Sequence, residues 1–134
     1  MTEKEILAQG EAEYMNEGQL AFFKRLLEEK RMAVQARMRA NQTLLQIERQ
    51  PDDVDFASTE EARNMALNMV DRDRAEIMRI IRALKMIEDR EYGYCAETGD
   101  PIGLRRLLAV PESLYCIEAM RVREAKSMHH ASAA

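Results

Sequence analysis

Cys95 and Cys116 are the only cysteines in the chain of 134 residues, and their spacing is that of a zinc knuckle with half its ligands missing. In a zinc ribbon each cysteine has a partner three residues on, with about 15 to 20 residues between the pairs. Here the partner positions hold Thr98 and Ala119, with 17 residues between Thr98 and Cys116. A structural zinc site wants four Cys or His ligands, so the set Cys95, Thr98, Cys116 and Ala119 reads as a degenerate site. No metal and no other cofactor is expected. The favoured reading is two free thiols in a small core. Glu97 and Asp100 are nearby oxygen donors that nothing in the spacing makes into a closed site. A reversible disulfide is a third reading, and it would need exposed thiols of low pKa.

A second group is acidic. Asp52, Asp53 and Asp55 follow Pro51 within five residues. Asp is a good turn former and N-cap, which is one explanation. The other is that the end of a helical rod carries carboxylates to a partner's metal ion, cation or catalytic loop. A third group lies further on, where Asp73 is surrounded by Arg72, Arg74, Arg79 and Arg82. Ion pairs three and four residues apart on a helix are worth only about 0.2–0.5 kcal/mol each. Most of these charges read as a solvated face, with an anionic ligand or an acidic partner surface as the alternative. No nucleophile–base pair and no phosphate-binding glycine loop is present, so enzyme activity is not expected.

These groups must be held by helices. Charged residues make up 33% of the chain and aromatics 5%, with ten Met, five Gly, three Pro and no Trp, a balance that favours long helices over a β-sandwich. A net charge of −4 argues against a general nucleic-acid binder, which needs a basic surface to release counterions. No apolar run approaches the ~18 residues of a membrane span, and the polar N-terminus does not fit a signal peptide. A cytoplasmic protein with reduced thiols is expected.

The pass along the chain gives three parts. Residues 1–16 read as a polar lead-in, part of a globular head. From about Asn16, Leu20, Phe23, Leu27, Val34, Met38 and Leu45 form one apolar stripe, ended by Pro51. A second helix is expected to restart with Asp55 or Ser58 as its cap. Ala66, Val70, Asp73, Ile77, Ile80, Leu84 and Ile87 then alternate by four and three, which is a coiled-coil seam with one charge in it. The Met residues at 65, 69, 78 and 86 read as core filler. Residues 17–90 are thus predicted to form an antiparallel coiled-coil hairpin of helices each roughly 45 Å long, with its tip at 50–57. Residues 91–134 change character. Three glycines and Pro101 are expected to make a knuckle of tight turns, with a short hairpin as one form of it. A short helix is predicted over Leu104–Ala109, a final helix opens near Pro111 and Ser113, and the tail from Ala131 frays. Ile102, Leu104, Leu107, Leu108, Leu114 and Ile117 are the candidate core of this part. The predicted fold class is therefore mainly α: a long hairpin, a small head with a degenerate zinc-finger-like knuckle, and a C-terminal helix.

Several stretches carry a resemblance: Glu13-Tyr14-Met15-Asn16-Glu17, Asp52-x-Val54-Asp55-x-Ala57, Arg72-x-Arg74, Tyr92-Gly93-Tyr94-Cys95 and Ile102-Gly103-x-Arg105-Arg106-Leu107. With these the chain resembles, over nearly its whole length, the DksA/TraR family of bacterial RNA polymerase-binding transcription regulators. It is most similar to the family's zinc-independent DksA paralogues, because the second Cys of each pair is replaced. The resemblance implies a coiled coil that enters the polymerase secondary channel, a head that rests on the polymerase surface, and an effect on open promoter complexes in the stringent response, with the alarmone ppGpp as co-regulator. It implies that Asp52, Asp55 and Ala57 are the polymerase-contacting tip. It also implies polymerase or ppGpp contacts at Arg72, Arg79 and Arg106. Two positions where relatives hold basic alarmone contacts are Val110 and Met120 here, and a neutral side chain cannot pair with a phosphate. Bacterial RNA polymerase is the expected partner of a monomer with no sequence-specific DNA binding and no membrane contact. Two other functions compete: a Gre-type transcript-cleavage factor, whose hairpin carboxylates help hold Mg²⁺, and a structural coiled-coil adaptor.

Overall fold

The computed structural model describes the backbone of residues 1–46 and 53–133, and side chains over 1–46 and 60–129. Five α-helices order the described chain: α1 (Glu3–Ala8), α2 (Glu17–Leu45), α3 (Asp53–Glu88), α4 (Leu104–Ala109) and α5 (Ile117–Ala133), with a 3-10 turn at Glu11–Glu13 between the first two. Among the described residues the only β-type pairing is an isolated antiparallel bridge, Tyr94 with Pro101. The fold is mainly α, as predicted, with two long antiparallel helices, a knuckle and a C-terminal helix.

The lead-in is more ordered than its polarity suggests. Thr2 and Glu5 form a reciprocal capping box at the start of α1, which satisfies two N–H groups that a helix start leaves unpaired. Helix α2 starts where the stripe predicted it. The Asn16 side chain accepts from the Gln19 N–H at 2.8 Å, and its carbonyl takes the Leu20 N–H at 2.9 Å, so Asn16 is the N-cap.

The start of α3 differs from expectation. The helix begins at Asp53, so Asp55 lies in its first turn and Ser58 in its interior. Acidic residues in a first turn suit the positive end of the helix macrodipole. The far end of α3 closes with the Glu91 N–H on the Met86 carbonyl (2.8 Å) and the Arg90 N–H on that of Ile87 (3.1 Å). Arg90 takes φ 59° there, the left-handed position usually given to glycine.

Backbone proximity divides the chain into two compact units, Met1–Leu27 with Arg79–Ala134, and Glu28–Met78. In the second unit α2 and α3 run antiparallel. The Arg63 guanidinium donates to the Leu45 carbonyl, Arg37 to the Asp73 carboxylate, and Lys30 pairs with Glu76 at 3.5 Å. Val34, Ala66, Val70, Asp73 and Ile77 are buried there.

In the first unit Ile6, Phe23, Leu27, Ile80, Ala83, Tyr92 and Leu107 form the core. The Phe23 and Tyr92 rings lie 5.5 Å apart, and the Tyr92 hydroxyl donates to the Pro111 carbonyl at 2.8 Å. The predicted seam drifts here. Ala83 is fully buried, while Leu84 and Ile87 are half-buried, because a 3.6-residue helix slips against a strict 3.5-residue repeat.

Three expectations for the C-terminal part need correction. Helix α5 begins at Ile117, not near Pro111 or Ser113, because Ser113 is held in a turn by its N–H on the Val110 carbonyl (3.0 Å). Ile117 is 49% exposed and so lies outside the core, whereas Ile102, Leu107 and Leu114 are buried. The backbone stays helical to Ala133, past the point where fraying was expected.

Candidate functional site

The acidic group is placed only in part. Asp52 lies outside the described residues. Asp55 and Ala57 belong to the first two turns of α3 by backbone, and their side chains are likewise outside the description. The turn predicted over 50–57 is therefore helical from Asp53 onward.

Arg72 and Arg79 are exposed on α3, and Asp73 between them is buried. Asp73 does not pair along its own helix. Its Oδ1 accepts from Arg37 Nη2 at 2.6 Å and Nε at 3.1 Å, across the helix pair, and Arg37 Nη2 also reaches Glu76 Oε2 at 3.2 Å. The hydrogen bond to Asp73 raises the Arg37 pKa further above its usual value. Arg37 was not singled out from the sequence. Its signal was the charge at a seam position, which demands a partner from the facing helix.

Arg106 is half-buried, and its Nε donates to the Tyr115 carbonyl at 3.2 Å. It tethers the start of α5 to α4 instead of standing clear in solvent. With Arg105, Tyr14, Tyr94, Ile102 and Ile117 it lines an open cleft of about 900 Å³ in the first unit. Tyr14 is a strut of this cleft. Its hydroxyl donates to the Gly93 carbonyl and accepts the Gly103 N–H at 3.0 Å, and its ring meets Tyr94 edge-on at 5.6 Å. Burial raises the Tyr14 pKa. Gly93 has φ 95°, and a Cβ there would lie 2.6 Å from the Met15 side chain, so the motif requires glycine at that position. Val110 is 40% exposed and Met120 half-buried.

The four knuckle positions do come together. The Cys95 N–H donates to the Asp100 carbonyl (2.7 Å) and the Gly99 N–H to the Cys95 carbonyl (2.9 Å), which closes a tight loop. The Ala96 N–H bonds to the Leu114 carbonyl (2.8 Å) and ties this loop to the segment before α5. Thr98 Oγ1 lies 3.9 Å from Cys116 Sγ, and that sulfur accepts the Ala119 N–H at 3.5 Å, capping α5. Burial pushes the Cys95 thiol up. Hydrogen bonds from the Thr98 hydroxyl and from the backbone of Cys116, Thr98 and Glu97 outweigh it and bring the thiol down from 9.0 to about 6.

The donor set does not fit a tetrahedral structural zinc. Two sulfurs, one hydroxyl and one methyl stand where four soft or nitrogen ligands are needed. Among the described residues no group of three or more Cys, His, Asp or Glu could hold a metal ion. Nor is any described helix long and apolar enough to cross a membrane.

Two family models match the chain: the N-terminal domain of DnaK suppressor protein DksA over residues 19–87, and the prokaryotic dksA/traR C4-type zinc finger over residues 90–125. The second describes a four-cysteine finger, and this chain carries half of those thiols. The RNA polymerase-binding transcription factor DksA of Escherichia coli (strain K12) is 41% identical over 114 residues, which is 84% of this chain and 76% of that protein. Its counterpart in Caulobacter vibrioides (strain NA1000 / CB15N) is 39% identical over 119 residues, 87% of this chain and 84% of that one. Among solved structures, transcription factor DksA2 from Pseudomonas aeruginosa superposes with a TM-score of 0.81 at 42% identity, covering 96% of this chain and 100% of that one.

Proposed function

The chain belongs to the DksA/TraR family, and on that footing we propose that it is a bacterial RNA polymerase-binding transcription regulator whose coiled coil enters the secondary channel and alters open-complex stability. The observation that carries this reading is the match of both family models and of the DksA2 structure along nearly the whole chain. In this reading residues 17–90 are the inserted hairpin, and residues 1–16 and 91–134 form the head on the polymerase surface. Asp52, Asp55 and Ala57 are the working end. Arg72, Arg79 and Arg106 supply contacts to polymerase or to ppGpp in the stringent response. The exposed positions of Arg72 and Arg79 support that assignment. Arg106 contributes mainly by holding the cleft, given its bond to Tyr115. Val110 and Met120 bring no charge to the head, so the response to ppGpp is weak. The protein acts as a cytoplasmic monomer without enzymatic activity or sequence-specific DNA binding. Its head folds without zinc, which the mismatch between the C4 pattern and the side chains present supports.

The test is binding to polymerase core followed by open-complex lifetime, with chelator present, for the wild type beside a protein carrying Asp52→Asn and Asp55→Asn. The expected result is that both bind and only the wild type shortens the lifetime. Failure of the wild type to bind would overturn the proposal. Release of short RNA from backtracked complexes would move it to a cleavage factor.

A further inference from the structure

The buried charge of the helix pair has a geometry that the apolar seam around it lacks. Asp73 is 3% exposed, between Val70 and Ile77 on the buried face of α3. Its Oδ1 takes two hydrogen bonds from one guanidinium, while its Oδ2 is buried with no partner among the described residues. The Arg37 side chain is about half exposed, and it also reaches Glu76, which in turn pairs with Lys30. Two residues of α2 and two of α3 thus form a chain of alternating charge across the pair, anchored at one buried carboxylate.

Such an arrangement is a poor way to add stability. Desolvating a carboxylate is costly, and here one of its oxygens recovers nothing. The apolar neighbours pack without directional demands. Ala66, Val70 and Ile77 are aliphatic and carry no polar side-chain atoms, so a slide of α3 along α2 by one helical turn, about 5.4 Å, would bury similar groups. Asp73 does not tolerate that slide. It would leave the reach of Arg37 and remain buried and charged without a counter-ion. A polar group at one seam position is the best-attested device for setting the register of a coiled coil.

We infer that the Arg37–Asp73 pair, extended by Glu76 and Lys30, is the register pin of the α2–α3 pair, and that it sets where along the pair the start of α3, which carries Asp55, stands. Arg37 and Asp73 are then positioning residues for the proposed activity. The functional half of the inference rests on the polymerase reading, and the register half does not.

The experiment replaces both partners with apolar residues of similar volume, Arg37→Met with Asp73→Leu, in the full chain. Thermal melts, interhelical nuclear Overhauser contacts, polymerase affinity and open-complex lifetime are measured. The variant is expected to melt at or above the wild-type temperature and to show a second set of α2–α3 contacts displaced by about one turn. It is also expected to bind polymerase and lose the effect on open complexes. A single set of contacts identical to the wild type's would overturn the register pin. So would loss of the fold, which would make the pair a support of the helices themselves. As a second variant, Arg37→Gln keeps a donor for Asp73 without charge or fork, and should show both registers in one folded protein. One register there would also count against the pin. Because the contacts are read without polymerase, failure of the wild type to bind polymerase would sink the functional reading and leave the register result to be judged separately.

Discussion

The hydroxyl of Thr98 stands 3.9 Å from the sulfur of Cys116, in the position where a second thiolate of a four-cysteine finger would face its partner pair. The Asp100 N–H donates to the same hydroxyl at 3.2 Å. Hydrogen bonds thus join the loop and the start of α5 that a metal would otherwise join. The head should melt at the same temperature with and without excess chelator, because metal binding contributes folding free energy only where ligands exist to bind it. Restoring the ligands with Thr98→Cys and Ala119→Cys should make the melting temperature rise with added zinc. Calorimetric melts check both, and a large chelator-induced drop in the wild type would contradict the first.

The lowered Cys95 thiol has a pH consequence. Its folded-state pKa, about 6, lies below the ordinary 9.0. The stabilisation from its ionised form is therefore fully present above pH 9.0 and is lost as pH falls through about 6. Urea midpoints of the wild type should rise across that window more than those of Cys95→Ser. Ultraviolet thiolate absorbance should show a titration near 6 that Cys95→Ser lacks. Identical pH profiles would show that the donors around the sulfur do not favour the thiolate.

The end of α3 should be improvable. Arg90 holds φ 59°, a conformation that costs an L-residue roughly 1 kcal/mol more than glycine. Its ion pair with Glu17 joins two side chains that are 69% and 85% exposed, and such pairs contribute little. Arg90→Gly is expected to raise stability by about 0.5–1 kcal/mol in urea unfolding. A loss of stability would mean that the Glu17 contact outweighs the backbone strain.

The Phe23–Tyr92 contact should separate packing from hydrogen bonding. Phe23→Ala removes a fully buried ring and should cost about 3–5 kcal/mol. Tyr92→Phe keeps the ring and removes only the bond to the Pro111 carbonyl, and should cost about 1 kcal/mol. Near-ultraviolet circular dichroism melts distinguish the two, and equal losses would show that the hydroxyl is essential to the head.

Local pattern by itself determined the two long helices and most of the face each buries, although Met65, Met69 and Met78, expected as core filler, are exposed. The recurrence of Leu20, Phe23, Leu27 and Val34, and of Ala66, Val70, Ile77 and Ile80, is a period that any helix must convert into one apolar side, and all eight are buried. The short α4 and the degenerate knuckle were legible for the same reason, since turns and short helices depend on neighbours in sequence. Tertiary structure alone decided what depends on distant partners. Arg37 lies 36 residues from Asp73, and no local rule chooses it over the four arginines close to Asp73 in sequence. The start of α5 was set by a sulfur cap and a turn at Val110, and the exposure of Ile117 by the absence of a helix to cover it among the described residues. The Cys95 pKa depends on N–H groups that Cys116 brings from across the knuckle. Periodicity is a property of a helix with itself, whereas a buried charge, a cap or a thiolate is satisfied only by whatever the fold brings beside it.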